Sequence, residues 1–446
     1  MIRVALYTLG CKLNQVESEG IADAFRRMGF QPVSPAEEAE LYVVNTCTVT
    51  SKAEQKARRM IRKFSSRDSG PVVLVTGCYA QLEGDLLDKL ADRLILLPLD
   101  RKASLVDLPE YLSGRMEEGM SLPEAIRLFL HDKQSREGLS PFAYEPDQFT
   151  FHARAFLKIE DGCDNRCSYC RVRIARGPAV SLDADIVLSR AAALEARGYQ
   201  EIVLTGVNIS AYRWQDIGLA ELVHRLDRVL QHTRIRLSSI EPDMLTNDMI
   251  SAIALPRVQP HLHLPIQTGS DDLVKLIGRS YRAEEVLHSI ERIRSLKGDL
   301  FLAADMITGL PGEDESRFEE TLSLVNRGDF SHIHVFPYSP RPGTELYGAP
   351  NPVAEYLRDQ RAARLRVLSR EGYLRYLQRQ EGRSFWAVAE QQLQLADGPC
   401  WSLLTENYIH CRTLGDQHLT KGEALTVTLE TSGESAVAVI EHRHRS

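Results

Sequence analysis

Long apolar runs are missing from this 446-residue chain. Leu94-Ile95-Leu96-Leu97-Pro98-Leu99 is among the longest, far short of the ~18 residues a membrane-crossing helix needs, so none is expected. The opening residues, Met1-Ile2-Arg3-Val4-Ala5-Leu6-Tyr7, run straight into a strand-like pattern. They offer neither the apolar core nor the small-residue cleavage site of a secretory signal, and a cytoplasmic protein is expected. Cysteine is scarce, eight residues in all, which excludes the disulfide framework of small secreted chains. Positive charge is not in excess either: 54 Lys and Arg stand against 61 Asp and Glu, for a net charge of −7 and a pI near 6.0. That balance argues against bulk nucleic-acid binding, although a local cationic patch still suffices for phosphate contacts. No heptad repeat is present, and a monomer is expected. What the chain does have is a 43% apolar share, enough for cores and against disorder. Its length suits about three domains of ~100–200 residues.

Three of the eight cysteines are crowded into one run, Asp161-Gly162-Cys163-Asp164-Asn165-Arg166-Cys167-Ser168-Tyr169-Cys170. Three thiolates at this C-x3-C-x2-C spacing can hold three irons of a [4Fe–4S] cube, which takes four cysteines when it only carries electrons. The missing fourth ligand leaves one iron open. Structural zinc is the alternative, but it wants four N or S ligands, and His152 upstream is a loose fit. The run resembles that of the radical S-adenosylmethionine (SAM) enzymes. The resemblance implies that SAM chelates the open iron and that one electron cleaves it to methionine and a 5′-deoxyadenosyl radical. The cofactor carries that chemistry and the protein aims it. Such an oxygen-sensitive cluster fits a reducing compartment.

The other elements are read from periodicity. Strands are expected at 4–9, 41–45 and 72–76, with helices at 18–28, 52–64 and 81–90. Such alternation implies a parallel α/β sheet with helices on its faces. Cys11, Cys47 and Cys78 each follow one of these strands. Ligands of open parallel sheets gather beyond the carboxyl ends of the strands, so three thiols distant in sequence converge on one rim. Three buried core cysteines are the bland reading; a second iron–sulfur cluster with an open iron is the favoured one. Residues 110–150, broken by Gly114, Gly119, Pro123, Gly138, Pro141 and Pro146, read as a linker with an inserted helix at 123–132. Six strand-then-helix units follow, with strands at 156–160, 201–205, 234–239, 261–265, 302–307 and 332–336, and helices such as 184–196 and 318–325. Six units suit a partial (β/α)6 barrel with its site at the carboxyl ends of the strands. A long basic helical stretch at 345–380 leads to a β-rich tail at 381–446, with strands at 385–390, 400–406, 410–413 and 425–429. The tail suggests a small β-barrel of oligonucleotide-binding type, in which Cys400 and Cys411 pack. Two cationic patches stand out: Lys52, Lys56, Arg58, Arg59, Arg62, Lys63 and Arg67 on one helix, and Arg358, Arg361, Arg364, Arg366, Arg370, Arg375, Arg379 and Arg383 on the other. Each is either a solvated face or an RNA contact.

This order of parts resembles the methylthiotransferase family of radical SAM enzymes over nearly the whole chain. The likeness rests on Leu9-Gly10-Cys11-Lys12-Leu13-Asn14 with Glu17-Ser18-Glu19, on Asn45-Thr46-Cys47-Thr48-Val49, and on Thr76-Gly77-Cys78. Thr405-Glu406-Asn407-Tyr408 resembles the TRAM domain of that family. The implied domains are 1–109 with an auxiliary cluster, the 110–150 linker, a 151–344 radical SAM partial barrel, a 345–380 connector and a 381–446 TRAM-like barrel. Of three branches, Gly10-Cys11-Lys12-Leu13-Asn14, Arg236-Leu237-Ser238-Ser239-Ile240-Glu241-Pro242, His261-Leu262-His263-Leu264-Pro265-Ile266-Gln267 and His334-Val335-Phe336-Pro337-Tyr338-Ser339-Pro340-Arg341-Pro342-Gly343-Thr344 are closest to the one that modifies threonylcarbamoyladenosine in tRNA. The chain departs from the family after its cysteines, where Arg171-Val172-Arg173-Ile174-Ala175-Arg176-Gly177 replaces a proline-containing run and adds two cations.

The resemblance implies a methylthio group placed on C2 of N6-threonylcarbamoyladenosine at tRNA position 37. One SAM methylates a sulfur and a second supplies the radical. Two [4Fe–4S] clusters are implied, on Cys11, Cys47 and Cys78 and on Cys163, Cys167 and Cys170. An electron donor of flavodoxin or ferredoxin type and a sulfur source are implied as well. Rim residues expected to bind SAM are Tyr169, Thr205, Gly206, Ser238, Ser239, Glu241, Gln267 and Arg279. Asp305 is expected at the reacting centre or as a helix cap, and Lys12, Arg173 and Arg341 near the substrate carboxylate. A base beside the anticodon lies in a single-stranded loop, where it can be splayed out and stacked. The basic helices and the C-terminal barrel are expected to hold the tRNA backbone. The alternatives are the isopentenyladenosine branch and, from another class, an RNA-binding protein with purely structural metal sites.

Overall fold

The computed structural model describes residues 2–91, 93–131, 140–396, 398–415 and 417–444. They form two compact units, one of residues 1–151, 158–164 and 170–180, the other of 152–157, 165–169 and 181–446. Among the described residues no helix is long and apolar enough to cross a membrane.

The first unit is built on a five-stranded parallel sheet in the order Gln31–Val33, Arg3–Thr8, Leu41–Thr46, Val72–Gly77, Leu94–Leu96. Leu41–Thr46 and Val72–Gly77 are buried at every position, as strands covered on both faces must be, and they read as apolar runs for that reason. The two edge strands have three residues each, too few for a period to show. Helix Lys12–Arg27 starts six residues before the expected 18. Its first turns bury Asn14, Glu17, Ser18 and Glu19, polar residues that an apolar count overlooks. The helix expected at 81–90 is instead two short ones, Cys78–Leu82 and Gly84–Asp88, parted at Glu83. The segment 110–150 is amended more deeply. Two helices, Leu108–Glu117 and Leu122–His131, stand where one was expected, each with a proline in its first turn, where a missing N–H costs nothing. Leu108, Leu112, Ala125, Ile126, Phe129 and Tyr144 share a core with Val4, Leu6, Phe25, Leu41 and Val43. This part of the segment is therefore a packed layer of the first unit. Asp132 and Gly138 lie outside the described residues.

The second unit contains six strands at the expected places. Arg234–Leu237, Glu201–Thr205 and Ala155–Lys158 form one three-stranded sheet, and His261–Gln267, Phe301–Thr308 and His332–Pro337 another. Arg234–Leu237 pairs with Glu201–Thr205 in parallel, as do the three strands of the second sheet, and a parallel bridge Ser239–His263 reaches the fourth strand. Helix Glu355–Gln380, 26 residues long, covers this region by burying Arg361, Ala362, Leu365, Ser369, Gly372, Tyr376 and Leu377 at helical spacing. At Gly372 an added Cβ would lie 2.2 Å from the Phe330 carbonyl oxygen, so the close approach requires glycine. Several arginines of this helix are ion-paired. Arg361 pairs with Glu313 at 2.9 Å, Arg364 with Glu315 and Glu319 at 2.8 and 2.7 Å, and Arg379 with Asp299 at 3.0 Å; Arg370 pairs with Glu434. These acids come from distant segments, so charge counted along the helix could not reveal the pairing.

The C-terminal strands Ser384–Leu395, Gly398–Thr405, His410–Thr413, Ala424–Ser432 and Ser435–His444 pair into a mainly antiparallel sheet that closes on itself. The last of them was not expected. Cys400 and Cys411 are buried, and burial pushes the Cys411 thiol up to about 12. Phe301, Tyr376 and Leu377 belong to the same core as Phe385, Trp401, Leu403 and Val427.

Candidate functional site

Close backbone approaches bring the first cysteine trio together. Gly10, at φ +96°, lies so near Cys47 that an added Cβ would stand 2.6 Å from its Cβ and 2.7 Å from its Sγ. Gly77, at φ +98°, leaves only 2.4 Å for such an atom before the Thr46 carbonyl oxygen. The residues just before Cys11 and Cys78 thus abut Cys47 or its neighbour. Asn14 fastens two of the loops by donating to the carbonyls of Leu9 at 2.7 Å and Thr46 at 3.1 Å. Thr46 fastens the third by donating to the Thr76 carbonyl at 2.6 Å and accepting from the Ala80 N–H at 3.2 Å. Cys11 is exposed while Cys47 and Cys78 are buried. Burial, followed by the charge of Cys11 and, more weakly, Cys78, pushes the Cys47 thiol up to about 12. Thiols that raise one another's proton affinity are a poor arrangement on their own. A bound cationic metal removes the difficulty, because a coordinating thiol is deprotonated outright. The donor set and the glycine-lined approach fit an iron–sulfur cluster with three protein ligands.

Behind this rim lies a buried ionic network that the sequence reading did not contain. Glu17 pairs with Lys102, with Lys158 at 2.9 Å and with Arg176 at 3.1 Å. Asp161 pairs with Lys158 at 2.6 Å and Arg176 at 2.8 Å. Arg176 also donates to Asn14 Oδ1 at 2.8 Å, and Lys102 to Asn45 Oδ1 at 2.8 Å. Burial would raise the Glu17 carboxyl, but Arg176, Lys102 and Lys158 together hold it well below the carboxylate range. Glu17, Lys158, Asp161 and Arg176, with Tyr144 and Ala103, line a cavity of about 230 Å³.

Cys163 and Cys170 also belong to the first unit. The Cys163 N–H donates to the Gly177 carbonyl at 3.1 Å, and Cys170 Sγ accepts from the Val172 N–H at 3.4 Å. Gly162 has φ +80°, and a Cβ there would stand 1.9 Å from the Pro178 oxygen, so glycine alone permits the turn before Cys163. Arg171 is buried against Glu54 at 3.4 Å and Glu83 at 2.9 Å. Arg173 is exposed, and Lys12 is half-buried at the start of its helix.

Cys167 and Tyr169 lie in the second unit. The backbone beside Cys167 passes Gly278, where a Cβ would be 2.8 Å from the Arg166 oxygen, and Ser168 is held by the Ile277 and Leu276 carbonyls. Tyr169 packs against Leu273, Ile277, Ile307 and Leu310. Glu241 and Arg279 form an ion pair, each side chain about one-tenth exposed, and Asn165 donates to Glu241 at 3.4 Å. Burial raises the Glu241 carboxyl even beside Arg279. Thr205 ends its strand buried, and its Oγ1 has no protein partner; Gly206 beside it is partly exposed. Ser238 is held through its N–H to the Leu204 carbonyl at 3.2 Å. Gln267, buried at φ +70° after a bulge, donates to the Pro265 carbonyl at 2.9 Å.

Asp305 sits within strand Phe301–Thr308 and accepts from His263 Nε2 at 3.0 Å, while His263 Nδ1 meets Ser239 Oγ at 3.2 Å. Its expected alternative, a helix cap, is thereby set aside. His334 joins this group: ligand atoms of His263, Asp305 and His334 lie within 4.8 Å of one another. The signal was present in His263 and His334, but only the strand register, with Asp305 opposite His334, reveals it. Arg341 is 4% exposed and is enclosed in its unit, not displayed on an open face.

Parallel strands followed by three cysteines at C-x3-C-x2-C spacing after the first of them point to a radical SAM enzyme. Residues 157–325 match the model of the Radical SAM superfamily, and residues 3–97 match that of the Uncharacterized protein family UPF0004. A threonylcarbamoyladenosine tRNA methylthiotransferase, MtaB, from Treponema pallidum is 36% identical, over 92% of this chain and 94% of its own. A tRNA-2-methylthio-N(6)-dimethylallyladenosine synthase from Cereibacter sphaeroides is 31% identical, over 98% of each chain. The chain belongs to the tRNA methylthiotransferase family of radical SAM enzymes. The fold is shared with a radical SAM methyltransferase, TsrM, from Kitasatospora setae, at a TM-score of 0.54 and 15% identity over 78% of this chain and 75% of that one.

Proposed function

We propose that the protein adds a methylthio group to C2 of N6-threonylcarbamoyladenosine at position 37 of tRNA. The observation that carries the reading is the whole-length similarity to a relative named for that base, and the construction of the first cysteine trio supports it. Two [4Fe–4S] clusters are proposed, one on Cys11, Cys47 and Cys78 and one on Cys163, Cys167 and Cys170. When bound, they and SAM supply the sulfur, the methyl group and the radical. The chain's own residues bind and orient. Thr205, with its unpartnered buried hydroxyl, and Gly206, Ser238 and Ser239 offer polar atoms at the carboxyl ends of strands. Glu241 and Arg279 offer one group of each sign for the ribose hydroxyls, amino group or carboxylate of SAM. Tyr169 and Gln267 complete that set, and Asp305 is proposed to face the reacting base through its contact with His263. Among the three expected substrate cations, exposed Arg173 is proposed to meet the threonylcarbamoyl carboxylate, assisted by Lys12; Arg341 is enclosed.

We further propose that the C-terminal closed sheet is a TRAM-like tRNA contact and that residues 151–344 and 381–446 mark functional parts. The protein is proposed to act in the cytoplasm as a monomer, reduced by a flavodoxin or ferredoxin. The isopentenyladenosine branch is the second reading, favoured by the 31% identity to a dimethylallyladenosine synthase. Anaerobic reconstitution with iron and sulfide, then incubation with SAM, a reductant and either threonylcarbamoylated or isopentenylated tRNA, separates the two. Mass spectrometry of nucleosides is expected to show the methylthio product from the threonylcarbamoylated tRNA, and its loss in Cys11→Ala or Cys163→Ala. Product from isopentenylated tRNA alone overturns the substrate assignment.

A further inference from the structure

Three side chains of metal-binding type meet on one face of the sheet His261–Gln267, Phe301–Thr308, His332–Pro337. Asp305 stands opposite His334 in register, and His263 stands opposite Ala303, two residues before Asp305. Residues two apart on a strand point to the same face, so His263, Asp305 and His334 project together from three neighbouring strands. The first two of these strands are otherwise closed. In His261–Gln267 every residue but His263 is buried, and in Phe301–Thr308 every residue but Asp305. His334 beside them is exposed. The two strands open to solvent at this point alone, and two imidazoles and a carboxylate line the opening. An ion therefore has both ligands and a way in, which a new metal site must offer.

We propose that His263, Asp305 and His334 bind one divalent transition-metal ion of the zinc or iron(II) class, apart from the cluster cysteines. The site goes beyond the methylthio reaction and does not rest on the substrate assignment. His263 Nε2 and Asp305 Oδ1 are 3.0 Å apart. Ligands bound at ~2.1 Å stand ~3.0 Å apart at neighbouring corners of an octahedron and ~3.4 Å apart in a tetrahedron, so this pair already has the spacing of adjacent ligands. A ligand atom of His334 lies within 4.8 Å of both. The rings of His263 and His334 are 5.3 Å apart by centroid and tilted by 50°, and rotation of the exposed His334 ring closes the gap. Ser239 Oγ supplies the outer contact, 3.2 Å from His263 Nδ1. Metal-binding imidazoles commonly use their second nitrogen in this way, which fixes the ring and its tautomer. When an ion takes Nε2, the ring proton moves to Nδ1 and Ser239 changes from donor to acceptor, roles a hydroxyl fills equally. Two imidazoles and one carboxylate suit zinc or iron(II), and three protein ligands leave positions for water or another oxygen donor.

The test uses the full chain, reconstituted anaerobically with iron and sulfide and then stripped of loosely held metal on a chelating resin. Cobalt(II) is the probe, and the cobalt bound per chain is measured by equilibrium dialysis and elemental mass spectrometry. The parent protein is expected to bind one cobalt that zinc and iron(II), added separately, displace. His334→Ala and Asp305→Asn are each expected to bind it at least about tenfold more weakly, and Ser239→Ala about 10–100-fold more weakly, as loss of an outer partner does. His288→Ala, which removes an exposed imidazole on helix Ala283–Lys297, is expected to bind as the parent does. Should Asp305→Asn not fold, His334→Ala, at an exposed position, decides alone. Equal binding by the parent and the ligand variants overturns the proposal, as does a parent that binds none. All the variants keep the eight cysteines, so the comparison does not depend on the clusters; absence of iron from the reconstituted parent overturns the cluster reading alone.

Discussion

A single methyl group tests the first cysteine trio. At Gly10 an added Cβ meets both the Cβ and the Sγ of Cys47, and φ is +96°; the backbone term alone costs about 1–3 kcal/mol in a non-glycine residue. Gly29 shares the backbone feature, at φ +78°, with nothing within 4 Å of its added Cβ. Gly10→Ala is therefore expected to lose roughly half of the reconstituted iron if one of two four-iron sites fails, and Gly29→Ala to retain it, as an iron assay on both variants will show. At this scale the cysteines were legible and their supports were not. A thiol after each of three strands is a pattern that needs only local sequence. Glu17 is a different matter: its partner Lys102 is 85 residues away and Arg176 is 159 away. Long-range ion pairs leave no periodic trace in the chain.

Two helices that look alike in the sequence differ in the fold. In Glu355–Gln380, Arg361, Arg364, Arg370, Arg375 and Arg379 are paired with acids. In Ser51–Ser65, Lys52, Lys56, Arg59, Arg62 and Lys63 are exposed, and the only acid of that helix, Glu54, is buried beneath. Lys52, Lys56, Arg59 and Lys63 follow one another at helical spacing, so they make one cationic stripe. If each meets a phosphate, replacing all four by Ala should flatten the slope of log affinity against log salt by about 3. A filter-binding or fluorescence titration of tRNA across salt concentrations measures this; an unchanged slope removes the stripe from the tRNA contact. Strand existence was legible because buried parallel strands are apolar runs. Helix starts were not, because Lys12–Arg27 begins with buried polar residues whose partners lie elsewhere.

For the molecule as a whole, buried carboxylates make stability depend on acid. Burial alone would raise Glu201, but the guanidiniums of Arg236, at 2.7 Å, and Arg154, at 3.2 Å, hold it at about 2. Glu17 and Asp161 are lowered in the same sense. An unfolded glutamate titrates near ~4.3, so below that pH the unfolded chain takes up protons that the folded one refuses, and stability falls as pH falls. Glu201 alone contributes about 3 kcal/mol, present above pH ~4.5 and lost progressively towards pH 2. Glu241 and Glu313, raised by burial, act oppositely at the upper end of that window, which concentrates the net loss below about pH 4. Urea midpoints of the apo protein, measured from pH 6 to pH 2.5, should show this decline; a flat profile would sink it. The overall order of parts was legible, since it needs only the alternation of strand and helix, whereas the sharing of cores was not. Phe301, the first residue of its parallel strand, packs with Phe385 and Trp401 of the closing strands. Its ring also meets Tyr376 edge-on at 5.3 Å. The last sixty residues are consequently no loose appendage, because they share a core with the parallel strands. A reading frame stopped after helix Glu355–Gln380 would leave Phe301, Tyr376 and Leu377 as an uncovered apolar wound on the unit they belong to.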